Sequence, residues 1–172
     1  MSATRIDGEA VATELRGWVS EEVAVLQAEG VSPGLATVLV GEDYAARAYE
    51  ARLARLARAV GCWYVAEELP ADACQADALA VVGKLNADPR VSGVLVLRPL
   101  PPQISEVAMY SILDPGKDIE SIHPLNAGLL ALGRPRFVPS TPASCFCLLD
   151  AYLRSSGRDP EAFYARSTLV SV

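Results

Sequence analysis

Hydrophobic positions recur along this chain with two different periods, and the alternation between them sets out a fold. Between Gly8 and Glu29 the residues Val11, Leu15, Val19, Val23 and Leu26 fall at helical spacing, with Asp7 as an N-cap and Gly30 as a stop. Ser32-Pro33-Gly34 interrupts that pattern, and Leu35 to Val40 is an apolar run with the length of a buried strand. Gly41-Glu42-Asp43 turns the chain into a second helix, from about Tyr44 to Val60, rich in alanine and arginine. The unit then repeats. Trp63 to Ala66 reads as a strand, and Ala73 to Asn86 as a helix that ends at Asp88-Pro89. Val94 to Leu97 is a further buried strand, stopped by Pro99-Leu100-Pro101-Pro102, and a helix from Ser105 to Leu113 follows.

This alternation predicts an α/β fold: a three-layer α/β/α domain on a mainly parallel sheet, with ligand clefts at the C-terminal ends of the strands. Asp114 to Pro142 departs from the rhythm. It holds Lys117, Asp118, Glu120, His123, Asn126, Arg134 and Arg136 with little periodicity, the mark of a functional loop or of a solvated connection. Thr141-Pro142 supplies an N-cap and a first helical residue for a helix through about Leu153. Ser167 to Val172 reads as an apolar strand.

A chain of 172 residues holds one ordinary domain, or one domain and part of another. With 51% hydrophobic and 21% charged residues it packs a core. The formal net charge of -6 disfavours nucleic acid and anionic membranes as partners, although a local basic pocket could still take a small anion. No apolar run is long enough to span a bilayer and no secretory leader pattern precedes the first helix, so a cytoplasmic location is expected. Cys62, Cys74, Cys145 and Cys147, with His123 as the single histidine, match no zinc spacing. No metal site is expected, and the cysteines read as small buried thiols.

Six segments in order carry a resemblance. They are Pro33 to Gly41; Ala45 to Tyr49; Gly93 to Pro101, ending in Pro-Leu-Pro; Pro115 to Glu120; His123 to Gly128; and Pro139-Ser140-Thr141-Pro142. Together the chain resembles the methylenetetrahydrofolate dehydrogenase/methenyltetrahydrofolate cyclohydrolase family over essentially its whole length. The resemblance implies a folate-binding catalytic domain over 1–140, a linking helix and connection over 141–166, and in 167–172 the first strand of a Rossmann-type domain. It implies a folate or pterin-like substrate near Tyr49, Pro99, Leu100, Pro101, Asp118 and Glu120. NADP or NAD is the implied cofactor, held by the dinucleotide domain, whose glycine-rich phosphate turn is not in this sequence. A homodimer is the implied assembly.

The departures from that family bear on chemistry. The family carries a lysine one helical turn after the cleft tyrosine, where both side chains meet the same ligand. Tyr49 is the tyrosine here and Leu53 holds the lysine's place. Leu97 stands where the family's strand has the glutamine that partners the lysine. Leucine cannot move a proton, so the family's hydrolytic acid/base route is closed. Exchanging both members of a polar pair for apolar residues is close to neutral, whereas losing one is costly, so the two leucines read as one coordinated change. Glu120 replaces the pterin-holding aspartate, and Ser121 replaces a glycine. Arg52, Arg55 and Arg98 lie close in sequence to these positions but point elsewhere, and arginine is a poor proton shuttle.

Tyr49 also reads as core, Asp118 as a turn cap, His123 as a structural loop residue, Lys117 as a surface charge and Arg134 with Arg136 as a charged loop. Three functions are compatible with these residues: a dehydrogenase that has lost its cyclohydrolase step, a scaffold turned to another one-carbon or pterin-like substrate, and a non-catalytic ligand- or partner-binding homologue.

Overall fold

The computed structural model describes residues 5–166. The strand expected at 167–172 lies outside the described residues. Three parallel strands, β1 (Gly34–Val40), β2 (Trp63–Leu69) and β3 (Gly93–Val96), form one sheet in the order β2-β1-β3. Around and after them run α1 (Gly8–Ala28), α2 (Tyr44–Ala59), α3 (Gln75–Ala87), α4 (Glu106–Ile112), α5 (Pro124–Ala131), α6 (Ser140–Ser155) and α7 (Pro160–Tyr164). Among the described residues two compact units result, one of residues 17–139 and one joining 5–16 to 140–166. The sheet and every candidate site residue lie in the first of these.

The strand period of two makes the layers. Ala36, Val38 and Val40 of β1, with Val94 and Val96 of β3, face α3 and α4, where Ala78, Val82, Leu85 and Met109 complete the larger core. The intervening residues Leu39 and Leu95 face the other way, onto α2. Alanines at 46, 54 and 57 are the buried face of α2 and let that helix lie close to the sheet. Each fully buried aliphatic side chain contributes roughly 1.5–3 kcal/mol.

The expected elements at 8–29, 35–40, 44–60, 63–66, 73–86, 94–97, 105–113 and 141–153 all occur, with ends displaced by up to three residues. Asp7 does cap α1, its Oδ1 accepting from the Glu9 and Ala10 amides at 3.1 Å each. Two expectations need correction: the cysteines are not buried, since Cys62 is half-buried and Cys74, Cys145 and Cys147 are exposed, and the stretch from 114 to 142 contains a helix. The His123 side chain accepts from the Leu125 amide at 3.0 Å, Pro124 supplies a preset φ in the first turn, and Gly133 at φ 70° ends the turn. α7 follows the same recipe, with Asp159 as cap and Pro160 behind it.

Candidate active site

The site is built at the C-terminal ends of β1 and β3. The Leu97 amide donates to the Val38 carbonyl at 2.9 Å, so residue 97 continues the β3 ladder one step beyond the strand. Its side chain falls on the Leu95 face and is 4% exposed. There Leu39, Ala46, Leu95 and Leu97 form one apolar cluster, and Leu53 of α2 packs against it. The two leucine positions singled out from the sequence therefore share one patch. Tyr49, one turn before Leu53, is 50% exposed and so is not core.

Across the sheet the 117–126 segment is anchored by its polar side chains, among them Lys117, which from sequence also reads as a surface charge. The Lys117 ammonium donates to the carbonyls of Leu85, Asn86 and Asp88 at 2.8–3.0 Å, closing the C-terminal end of α3. Asp118 is fully buried and accepts from the Ile122 amide at 3.2 Å, the His123 amide at 2.9 Å and the Asn126 Nδ2 at 2.9 Å. Asn126 also donates to the Pro115 carbonyl at 2.8 Å. The segment lies against β3 through a bond of 2.8 Å from the Val94 amide to the Lys117 carbonyl. Gly93 permits that approach, since a Cβ there would meet Ile119 Cγ2 at 2.7 Å. Ser121 adopts φ 56°, the left-handed region that favours glycine, and its hydroxyl donates to the Phe137 carbonyl. Lys117, Asp118 and His123 thus each hold the backbone, while Arg134 and Arg136 are exposed.

This anchoring leaves Glu120 at the edge of the site, half-buried. Burial pushes its carboxyl up, opposed by Arg98 and reinforced by Asp118. Arg98 follows Leu97 and forms a long ion pair with Glu106 of α4 at 3.9 Å. Burial also raises the Tyr110 phenol, with Arg98 opposing and Glu106 and Glu120 adding to the rise. Pro99 is exposed and Pro101 half-buried beyond the strand, while Leu100 packs partly against the larger core. Because the folded-state pKa of Glu120 is raised, folded protein holds that proton more tightly than unfolded chain. Its contribution is present below the ordinary value of 4.5 and is lost as pH rises through the folded pKa. Glu120→Gln is therefore expected to raise the melting temperature at pH 7, with the gain disappearing below about pH 4.5. Thermal melts of both proteins from pH 4 to 8 check this, and a gain that is the same at every pH would overturn it.

The catalytic-domain family of tetrahydrofolate dehydrogenase/cyclohydrolase matches residues 6–120. The chain belongs to that family. It is 69% identical over 172 residues to "Bifunctional protein FolD 3" of Rubrobacter xylanophilus, covering 100% of this chain and 54% of that one. Among solved structures it resembles the FolD methylenetetrahydrofolate dehydrogenase/cyclohydrolase of Campylobacter jejuni, with TM-score 0.85, 32% identity, 88% of this chain and 54% of that chain. It also resembles the Trypanosoma brucei dehydrogenase-cyclohydrolase solved with NADP and an inhibitor, with TM-score 0.81, 34% identity, 91% of this chain and 53% of that chain. The chain spans about half the length of the relatives it matches.

Within this family member one polar feature escaped the sequence reading. Tyr64 of β2 donates to Glu50 Oε1 at 2.6 Å and shares a hydrogen bond of 2.7 Å with the fully buried Thr37 hydroxyl. Burial first, and then the Glu50 hydrogen bond, push the Tyr64 phenol up. The chain ties α2 to the sheet on the same face as the Leu39 cluster, which fixes the helix carrying Tyr49 and Leu53. Glu50 directly follows Tyr49 and Thr37 sits in an otherwise apolar strand, which is the signal that could have found them.

Proposed function

We propose that this chain supplies the folate-binding wall of an enzyme that oxidises 5,10-methylenetetrahydrofolate with NADP or NAD and does not hydrolyse the methenyl product. The observation that carries this reading is the shared apolar cluster of Leu53 and Leu97. At those two places no side chain can donate, accept or activate water, so the hydrolytic step has no acid/base pair. Oxidation asks less of the protein, because hydride transfer depends on holding two rings face to face. Tyr49, half-exposed on a helix fixed by Glu50 and Tyr64, offers a ring for stacking. Glu120 offers a carboxylate for ring N–H groups. Asp118 acts behind it, as the residue that positions the loop.

The described residues do not fit the dinucleotide. The turn after β1 has Gly41 at φ 89°, but Glu42 and Asp43 follow it, and carboxylates there repel phosphate. The hydride acceptor in this reading is held by sequence corresponding to the other half of the relatives, and the complete enzyme is a cytoplasmic homodimer. Mixing the protein with methylenetetrahydrofolate and NADP or NAD, and following methenyl absorbance, tests the proposal. Methenyl product is expected to accumulate and then decay no faster than in buffer. Accelerated decay would overturn the loss of cyclohydrolase activity, and no product with either nucleotide would overturn the dehydrogenase reading.

A further inference from the structure

Tyr64 reaches from β2 to α2 and meets that helix at two places. Its hydroxyl donates to Glu50 Oε1 at 2.6 Å, and the Arg58 guanidinium carbon lies 5.5 Å from the centre of its ring. Glu50 and Arg58 stand about two turns apart on α2. One side chain of the sheet therefore holds the helix both along its axis and in rotation. The direction of the hydrogen-bond chain follows from counting protons. A tyrosine hydroxyl has one, and here it goes to Glu50, so in the 2.7 Å bond with Thr37 the threonine is the donor. Thr37 is fully buried in β1, and the tie runs from the middle strand through Tyr64 to the helix.

The apolar contacts of α2 give little direction of their own. Its buried residues are Ala46, Ala54 and Ala57, and the cluster beneath it is leucine. Apolar attraction is non-directional, and alanines raise no ridge that would stop a helix from turning about its axis. The Arg47–Glu68 pair joins the same two elements at 3.1 Å, but it is exposed, and surface ion pairs hold geometry weakly. Rotation matters here because Tyr49 directly precedes Glu50. At the outer radius of a helix, about 5–6 Å, a turn of roughly 10° carries a side chain by about 1 Å. A binding arrangement tolerates only about half of that.

We propose that Tyr64 is a positioning residue of the site: by clasping α2 it sets the angle at which Tyr49 presents its ring to the substrate. This rests on the folate reading above, in which the Tyr49 ring stacks on the ligand. Tyr64 acts through α2 and Tyr49, and its hydrogen bonds to Thr37 and Glu50 are the means. A fully satisfied polar chain of this kind selects one arrangement of the elements it joins, which packing of alanine on leucine does not.

The test is calorimetric binding of 5-formyltetrahydrofolate, a stable reduced folate, to the full chain and its variants at a temperature where all are folded. Tyr64→Phe keeps the ring and its contact with Arg58 and removes only the hydroxyl. It is expected to weaken binding about tenfold. A hydroxyl that served stability alone would lower the melting temperature and leave the affinity of folded protein unchanged, so unchanged affinity overturns the proposal. Tyr49→Leu is also expected to weaken binding. Adding Tyr64→Phe to it should cost less than about a further twofold, because the ring that Tyr64 aims is already gone. An equal loss in both backgrounds overturns the route through Tyr49. Glu50→Ala removes the same hydrogen bond from the helix side and takes the place of Tyr64→Phe if that variant does not fold. Glu50→Gln keeps an oxygen acceptor for the phenol and should retain affinity within about threefold. A loss as large as with alanine overturns the hydrogen bond as the cause. Absence of binding to the unaltered chain overturns the folate reading itself, and the positioning role falls with it.

Discussion

Asp118→Ala is expected to cost about 3–5 kcal/mol of stability, the scale of breaking a buried charged network by removing one partner. The carboxylate is fully buried and accepts from two backbone amides and from Asn126. The two amides would be left without an acceptor and Asn126 would keep only its bond to the Pro115 carbonyl, and each charge-assisted bond contributes roughly 1.5–3 kcal/mol before non-additivity is allowed for. Asn126 has little in reserve, since its Oδ1 is buried without a partner. Urea unfolding of the variant should show a lower midpoint with an unchanged slope. Glu120→Ala is the contrasting variant. It should leave stability within about 1 kcal/mol, because a side chain with no internal hydrogen bond supports little structure, yet it should abolish pterin binding. If Asp118→Ala costs less than 1 kcal/mol, the 117–126 segment is held by something else, and the positioning role of Asp118 is wrong.

That contrast shows which parts of the site were legible in the sequence. The β1 and β3 strands were, because a continuous apolar run bounded by glycine and proline has few other uses. The grouping of Leu53 with Leu97 was also legible once the family pattern was in view, because helical and strand periodicity place each on a known face. The 114–142 stretch was not. Its polar residues carry no amphipathic period because they serve the backbone: Lys117 reaches the carbonyls ending α3, about thirty positions earlier in the chain. Periodicity reports burial of side-chain faces and is blind to such long-range caps. α5 was marked only by Pro124 and Gly133, punctuation that is easily read as loop. The meeting of Arg98 with Glu106 likewise depends on how α4 lies against the end of β3, which no local pattern contains.

Reversing the two leucines together is expected to behave differently from reversing either one. Leu97→Gln places an amide at a position 4% exposed, inside an apolar cluster, at a cost of about 2–4 kcal/mol. Leu53→Lys is milder, about 1–3 kcal/mol, because Leu53 is only partly buried and a lysine stem can cover the patch while its ammonium reaches for water. With both present, the ammonium and the amide can pair, so the double variant should be more stable than the sum of the singles by about 1–2 kcal/mol. The same variant should gain what each single lacks, accelerated decay of methenyltetrahydrofolate, because a lysine oriented by an amide is a proton-handling group at the place where the protein now has none. Chemical denaturation of the four proteins gives the coupling, and absorbance of the methenyl compound gives the activity. A coupling near zero would mean that the two side chains do not face each other, and the view of Leu53 and Leu97 as one change would fail. A favourable coupling without hydrolysis would leave that view standing. It would then place the remaining block elsewhere in the cleft, with the longer carboxylate of Glu120 and the guanidinium of Arg98 as the next groups to exchange.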